Sequence, residues 1–247
     1  MRKPILALCT LAAALLLPGC AKTPPPDDGP AVVRTFLAGY ESEDRSSRVL
    51  LNLLEDGSAA FYVGGLEKGI HTTAQYDAAY ALGENADYDE TIRLTHADGS
   101  ATDATIVDGV FEIDAIRFYE TAPASMEGDV YVGYLTKTSC MGPMVYAYAL
   151  CLMDDAAFDV SIMQMASVMH VWGNTGGTYK AKGKNITFTY DILTDDGDLV
   201  ATDAVAEGTA FDGNSLTAAF NIQQNTMRPT DAEFIKVKEH HHEQSKT

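Results

Sequence analysis

Polar and apolar residues alternate along several short segments of this chain, which is the pattern of half-buried β-strands. Residues 91–96, 157–162 and 185–192 all follow this period of two. No long stretch keeps a helical period with capping residues at both ends. Residues 161–171 are ambiguous, since they fit either the extension of a strand or a short helix. The pattern therefore predicts an all-β protein.

Tight turns are expected between these strands, because Asp-Gly pairs recur at the spacing of β-hairpins. An Asp-Gly pair suits the positive backbone angles of a two-residue hairpin turn. Such pairs occur at Asp56-Gly57, Asp98-Gly99, Asp108-Gly109, Asp196-Gly197 and Asp212-Gly213. The chain is therefore predicted to run as a meander of short antiparallel strands.

The meander is predicted to occur twice, because motifs recur in the same order in two parts of the chain. The tetrapeptide Ala-Thr-Asp-Ala occurs unchanged at residues 101–104 and 201–204. Self-similarity of this kind indicates a repeated structural unit. The other matches join Gly39-Tyr40 with Gly133-Tyr134, residues 51–61 with 149–158, residues 91–95 with 187–191, Asp98-Gly99 with Asp196-Gly197, and Phe111 with Phe211.

Each copy is predicted to close into a small β-barrel. The first copy covers residues 32–120, the second covers residues 129–238, and residues 121–128 link them. Each copy holds about seven or eight short antiparallel strands, and closure of such a meander removes both exposed edges. The predicted fold is therefore two small antiparallel barrels in tandem.

A Gly-x-Tyr strand followed by a Gly-x-x-Ile-x-Phe hairpin marks the second copy. The strand reads Gly177-Thr178-Tyr179, and the hairpin runs from Gly183 to Phe188. In this order of motifs the chain resembles the lipocalin-like domains of secreted bacterial lipoproteins. The resemblance implies barrels with room for a small apolar ligand, and it implies no catalytic residue. The alternative is a barrel filled by its own side chains, which is common among small barrels.

The first twenty residues have the composition of a targeting signal. In residues 1–3 the initiating Met is followed by two basic residues. Residues 4–17 are almost wholly apolar, but this run is shorter than the ~20 residues of a membrane span. The segment ends in Leu17-Pro18-Gly19-Cys20 and resembles a bacterial lipoprotein signal, apart from Pro18. The resemblance implies that residues 1–19 are removed and that Cys20 carries lipid, palmitate included. The alternatives are an ordinary secretory signal or a membrane anchor with a chance Cys.

Residues 20–31 are rich in Pro and charge, so they are predicted to form an extended tether behind the lipidated Cys20. No second apolar run approaches the length of a membrane span. The predicted location is extracytoplasmic, with lipid attachment to the cell membrane or the outer membrane of a bacterium. Residues 239–247 are predicted to form a polar tail that contains His240-His241-His242.

The chain is strongly acidic, with a formal charge of −18. Removal of residues 1–19 leaves 15 basic and 35 acidic residues, a formal charge of −20. Such a surface repels nucleic acid and anionic lipid headgroups, so neither is expected as a partner. The charge favours solubility, cations or basic partners, and no protein partner is identified.

Nothing in the sequence indicates an enzyme or a cofactor. A hydrolase triad needs a nucleophile, a base and an acid, but His71, His96 and His170 are the only His of the two copies. No Gly-x-Ser-x-Gly motif occurs. Residues 195–198 superficially resemble a calcium loop, yet Leu199 and the following Val interrupt it, which favours a hairpin turn.

Soft metal ligands are concentrated in the second copy. Thioether, thiolate and imidazole groups suit reduced copper, so a copper- or redox-responsive envelope protein is one hypothesis. The alternative is that Met fills gaps in a core. Cys140 and Cys151 form either a disulfide, which an oxidising compartment permits, or two buried thiols. The weak metal candidates are Met163, Met165, Met169 and His170.

Aromatic residues are spaced like the inward residues of a barrel. Buried Tyr and Trp need polar partners and often line the mouth of a pocket. The inward set is predicted to be Tyr40, Phe61, Tyr76, Tyr80, Phe118, Tyr134, Tyr146, Tyr148, Trp172, Tyr179, Phe188 and Phe220. The ligand-binding candidates among them are Tyr76, Tyr80, Tyr146, Tyr148, Trp172 and Tyr179.

Three functions follow as hypotheses. The first is binding of a small apolar or amphipathic ligand by a membrane-anchored protein. The second is an interaction module that presents acidic loops to an envelope or host partner. The third is the copper or redox response.

Overall fold

The computed structural model describes residues 29–121, 127–139, 142–166, 169–193, 199–221 and 231–239. These residues form sixteen β-strands and no helix, which confirms the predicted all-β class. No helix in this described part is long and apolar enough to cross a membrane. The strands are β1 (Val32–Ser42), β2 (Arg45–Leu54), β3 (Ser58–Glu67), β4 (Ile70–Glu84), β5 (Glu90–His96), β6 (Ala101–Ile106), β7 (Val110–Ile113), β8 (Ile116–Thr121), β9 (Asp129–Ser139), β10 (Gly142–Leu152), β11 (Ala157–Ala166), β12 (Met169–Lys182), β13 (Asn185–Leu193), β14 (Leu199–Thr209), β15 (Ser215–Ala218) and β16 (Ala232–Lys238).

Strands β1 to β8 form the first barrel, which is nearly closed. Strands β1 to β6 pair in sequence order, β7 pairs with β8, and β8 returns to pair with β1, with Phe36 opposite Glu120. Strands β6 and β7 meet only through the bridge between Val107 and Val110, whose amides donate to each other's carbonyls at 2.9 Å.

Strands β9 to β16 form the second barrel, which is fully closed. It has the same strand order, and β16 returns to pair with β9, with Tyr131 opposite Lys236. The tandem architecture predicted from the repeated motifs is therefore confirmed. Residues 161–166 and 169–171 belong to strands, so the described part of the ambiguous segment is β-strand.

The predicted Asp-Gly turns form the hairpins at the described positions. Gly57, Gly99, Gly109 and Gly213 all have φ between 74° and 87°, a region that glycine adopts without strain. The fifth pair, Asp196-Gly197, lies outside the described residues.

Aromatic side chains pack inside both barrels. In the second barrel the rings of Phe158 and Phe188 lie 4.9 Å apart, and Phe220 lies 4.9 Å from Phe188. In the first barrel Phe111 stacks on Phe118 at 4.9 Å and meets Phe36 edge-on at 5.0 Å. Aromatic pairs at such separations stabilise a core beyond their buried area.

The two barrels pack against each other through their outer faces. An apolar cluster, which we call the joining cluster, spans both of them and includes Leu37 and Leu50 of the first barrel and Val132 and Ala147 of the second. Burial of apolar surface contributes roughly 25 cal/mol per Å² to stability. The joining cluster therefore holds the barrels as one unit.

Glycine allows the backbones to approach closely at this contact. A Cβ atom on Gly64 would collide with the carbonyl oxygen of Lys236, which the ring of His71 also reaches, with Nε2 3.0 Å from that oxygen. At Gly65, next along β3, the nearest atom to a Cβ would be the Thr72 hydroxyl at 3.1 Å.

We expect Gly64→Ala to lower the free energy of unfolding by about 1–3 kcal/mol, because the added methyl group forces two backbones apart. Denaturant unfolding measures the change. Gly65→Ala is the matched control, since its methyl group meets a side chain that can rotate. Equal effects of the two substitutions would contradict the close approach at Gly64.

Candidate functional site

An open groove lies between the two barrels, next to the joining cluster. Its volume is about 750 Å³, which falls within the range of small-molecule sites. One wall comes from β1, β7 and β8 of the first barrel, and the other comes from β9, β10 and β11 of the second. The lining contains both polar and apolar side chains.

Two tyrosines, one from each barrel, form the centre of the groove. The ring centroids of Tyr119 and Tyr134 lie 6.1 Å apart, and the rings are tilted by 49°. Tyr134 lies directly over Gly39, where a Cβ atom would come within 2.6 Å of the ring. A residue with a side chain at position 39 would therefore displace Tyr134. Burial raises the pKa of the Tyr134 phenol above its ordinary value.

Charged side chains of the first barrel line one side of the groove. Arg117 Nε donates to Glu112 Oε2 at 3.0 Å, and both side chains are more than half exposed. Asp108 lies in the hairpin turn between β6 and β7 with φ of 51°. Tyr40, which is half exposed, completes this side of the groove.

A buried guanidinium fixes the polar part of the contact between barrels. Arg48 is fully buried, and it donates to Glu41 at 2.6 Å and to the carbonyl of Ser47 at 3.1 Å. Its Nη2 also lies 3.6 Å from Glu233 of the second barrel. A buried charge is costly unless it is paired, so Arg48 favours the arrangement that keeps both carboxylates near it.

Tyr80 and Tyr179, both predicted as ligand candidates, hold the hairpin between the second and third strands of their barrels. Tyr80 donates to the carbonyl of Leu54 at 2.9 Å, and Tyr179 donates to that of Met153 at 3.1 Å. The two tyrosines therefore occupy equivalent positions, and their hydroxyls are committed to backbone contacts.

The remaining aromatic candidates are dispersed. Tyr146 and Tyr148 point into the second barrel and are buried, whereas Tyr76 is 60 % exposed on β4 of the first barrel. Tyr134 was predicted to point inward, but it faces outward into the groove, because Gly133 occupies the inward position beneath the Phe234 ring. The side chain of Trp172 lies outside the described residues.

The candidate metal ligands do not form a described cluster. Met163 is buried in the joining cluster, and Met165 lines the groove. Cys151 is buried in the same cluster, but Cys140 and the side chains of Met169 and His170 lie outside the described residues, so the disulfide and copper hypotheses stay predictions. Within the described residues, no group of three His, Cys, Asp or Glu could hold a metal ion.

A buried amide inside the second barrel was missed by the sequence analysis. Gln164 continues the inward series Phe158, Val160 and Ile162 on β11 and is 3 % exposed. Its Oε1 finds no hydrogen-bond donor among the described residues. The sequence does contain a signal for this buried amide, because Gln164 is a polar residue at an inward position of an alternating strand.

Ion pairs inside one end of each barrel were also missed. Arg34 donates to both carboxylate oxygens of Glu120 at 2.6 Å and to Glu90 at 2.7 Å. In the second barrel Lys236 donates to Asp129 at 2.7 Å. The pairs Arg34–Glu120 and Lys236–Asp129 connect the first and last strands of their barrels, and Arg34–Glu90 connects β1 with β5.

Comparison of the chain with protein-family models and with curated protein sequences gives no match.

We expect Gln164→Leu to raise the free energy of unfolding by about 1–3 kcal/mol, because it removes a buried acceptor that lacks a donor. Denaturant unfolding measures the change, and Gln75→Leu, at an exposed position on β4, is the control. A loss of stability in Gln164→Leu would show that Oε1 has a partner in the folded protein.

Proposed function

We propose that this chain is a bacterial lipoprotein, anchored outside the cytoplasm through Cys20, that binds a small amphipathic ligand in the groove between its barrels. The observation that carries the proposal is the groove itself, with about 750 Å³ of space and a lining of mixed polarity. Amphipathic ligands need both kinds of surface, with apolar contact for area and a few polar groups for orientation.

Packing supports the groove over the barrel interiors as the ligand site. A lipocalin-like protein would hold its ligand inside a barrel, and we keep that resemblance as part of the proposal. In this chain the interiors contain the stacked pair Phe111 and Phe118 and the cluster around Phe158 and Phe188. A ligand at the level of these rings would have to displace them, whereas the groove is open.

Attachment to a membrane rests on the N-terminal sequence. Residues 1–20 have the basic, apolar and Gly-Cys parts of a lipoprotein signal, and residues 20–31 supply a proline-rich tether. The lipid would hold the protein at the surface while the barrels face outward.

A second candidate function is the presentation of an acidic loop to a protein partner. Tyr88 is 85 % exposed at the tip of the loop between β4 and β5, with Asp87 and Asp89 on either side. Asn85 fixes this loop, since its Oδ1 accepts from the amides of both aspartates at 2.9 Å. An exposed aromatic side chain in a fixed loop favours contact with a partner.

Ligand binding can be measured with the neutral fluorescent probe N-phenyl-1-naphthylamine on the full chain carrying Cys20→Ser. We expect Thr136→Trp to weaken probe binding at least about tenfold, because the indole fills the groove and removes contacts that hold the ligand. Thr209→Trp places the same ring at an exposed position of β14, outside the groove, and is expected to leave binding unchanged. Equal binding by both variants would place the probe elsewhere.

Membrane attachment can be measured by fractionation of cells that express the full chain. We expect Cys20→Ser to move the protein from the membrane fraction to the soluble fraction and to abolish labelling with radioactive palmitate, because the lipid is the attachment. Cys9→Ser, which lies in the predicted signal, is the matched control and is expected to stay attached. A Cys20→Ser protein that remained on the membrane after washing would refute the anchor.

A further inference from the structure

We infer that the open edge of β6 in the first barrel binds an extended segment of a partner protein, which adds as an antiparallel strand and carries a basic residue opposite Asp103. This surface is separate from the proposed ligand site, because residues 101–105 do not line the groove. Addition of a strand to a free sheet edge is a recurring way in which proteins recognise extended peptides.

The first barrel leaves the edge of β6 open, whereas the second barrel is closed. Among the described residues, β6 is joined to β7 only through the bridge at Val107. β7 ends at Ile113, and the positive φ of Asp114 and Ala115 turns the chain back into β8. The register of the bridge, continued along β6, would place Asp103 opposite this turn. No strand of the described first barrel therefore lies beside the first half of β6.

The backbone groups of this edge point away from the neighbouring strand β5. In the β5–β6 hairpin the amide of His96 donates to the carbonyl of Ser100 at 2.9 Å, and hydrogen-bonded pairs alternate along an antiparallel ladder. The even-numbered residues of β6 therefore bond to β5. The odd-numbered residues direct their amides and carbonyls to the open edge, and these are Ala101, Asp103 and Thr105. Val107 follows the same alternation, since its amide donates across to β7.

The exposure of the inward side chains shows that the gap between β6 and β7 widens away from the bridge. Ile106 and Phe111, which flank the bridge, are buried at 6 % and 2 % exposure. Ala104 and Ile113 lie one inward position farther from it and are only partly buried, although both pack against the core of the first barrel. An added strand would cover this apolar surface, which favours a segment with apolar residues at alternate positions.

The sequence of β6 lacks the features that usually protect an edge strand. Such strands are commonly protected by Pro, by Lys, by a β-bulge or by a charge that points inward. Residues 101–106 contain neither Pro nor Lys, and their register with β5 is continuous. Their single charge is on Asp103, whose side chain is 65 % exposed on the outer face. The edge is therefore available to a partner strand.

The charge at Asp103 favours a basic segment as the occupant. Asp103 pairs at 3.0 Å with Arg93 of β5, which lies on the side away from the open edge. A basic residue opposite Asp103 would extend this pair across three strands, whereas an acidic residue there would be repelled. A second copy that paired its own β6 about Asp103 would set two carboxylates opposite each other, and each copy carries a formal charge of −18.

Binding can be measured by fluorescence anisotropy with the full chain carrying Cys20→Ser and a labelled eight-residue peptide that alternates Val and Thr, with one central Thr replaced by Lys. We expect this peptide to bind about fivefold more tightly than its Glu counterpart, because only Lys can pair with Asp103. Methylation of the peptide nitrogens that face β6 is expected to abolish binding, since those amides bond to the edge. Binding of the methylated peptide would overturn strand addition, and equal affinities for Lys and Glu would overturn the basic partner.

Thr105→Pro removes one edge amide on the protein side. This amide makes no bond to β5, and Pro is tolerated at the edges of sheets, so the barrel is expected to fold. We expect the variant to bind the Lys peptide at least about tenfold more weakly. Thr105→Ala keeps the amide and is the matched control, with binding expected to be unchanged. Equal binding by the two variants would contradict the use of this edge.

Hydrogen exchange locates the peptide without any substitution in β6. We expect the Lys peptide to slow exchange of the Asp103 and Thr105 amides, whereas the Thr102 and Ala104 amides, already bonded to β5, keep their rates. Unchanged exchange at Asp103 and Thr105 in the presence of bound peptide would overturn the inference even if Thr105→Pro failed to fold.

Other occupants of the edge give different results. A dimer that forms without peptide and is abolished by Thr105→Pro, as measured by sedimentation, would assign the edge to a second copy and overturn the inference. Slow exchange of the Asp103 and Thr105 amides in the peptide-free monomer would show that another segment of this chain covers the edge, and would overturn it as well. Neither result affects the proposed function, because binding of the naphthylamine probe in the groove is measured separately.

Discussion

The contact between the outer faces of the two barrels is the constraint on which the rest of the structure depends. Small residues make it possible, because Gly39 and Gly64 have no side chain where the other barrel's Tyr134 and Lys236 come closest. Strand β10 shows the consequence, since every residue from Met144 to Leu152 is buried, on one side in its own barrel and on the other against the first barrel. The groove exists only because this contact holds its two walls at a fixed separation.

In both barrels an ion pair joins the first strand to the last, but the positions of the cation and the anion are exchanged. In the first barrel the cation, Arg34, lies on the first strand and the anion on the last, whereas in the second barrel the anion, Asp129, lies on the first strand and the cation on the last. Each cation also lies over a ring, Arg34 5.1 Å from the centroid of Phe36 and Lys236 5.5 Å from that of Tyr131. The pairing is therefore shared between the repeats, while the identity of each partner is not. A comparison of residue types alone cannot detect a repeat of this kind.

Local features were predictable from the sequence, and contacts between distant segments were not. The alternation of residues 185–192 predicted β13, and the Asp-Gly pairs predicted four described turns, because both signals depend only on neighbouring residues. The repeated Ala-Thr-Asp-Ala tetrapeptide indicated duplication correctly but in the wrong register. Tyr80 and Tyr179 are equivalent, and following the strand pairing across the next two strands leads from Tyr80 to Thr102 and from Tyr179 to Ala206. Thr102 is therefore equivalent to Ala206 and not to Thr202. The groove could not be predicted from the sequence, since it depends on how the outer faces of the two barrels lie against each other.

The placement of the groove would link the proposed ligand binding to the contact between the barrels. The groove has one wall from each barrel, so a ligand that contacted both walls would bind only the arrangement in which the barrels are joined. By mass action such a ligand stabilises that arrangement, and anything that favours the arrangement strengthens binding. Arg48 and Glu233 act on this equilibrium without touching the groove, because their pairing across the contact exists only when the barrels are joined. If the groove binds a ligand as proposed, the polar contact buried between the barrels and the site open to solvent are two parts of one equilibrium.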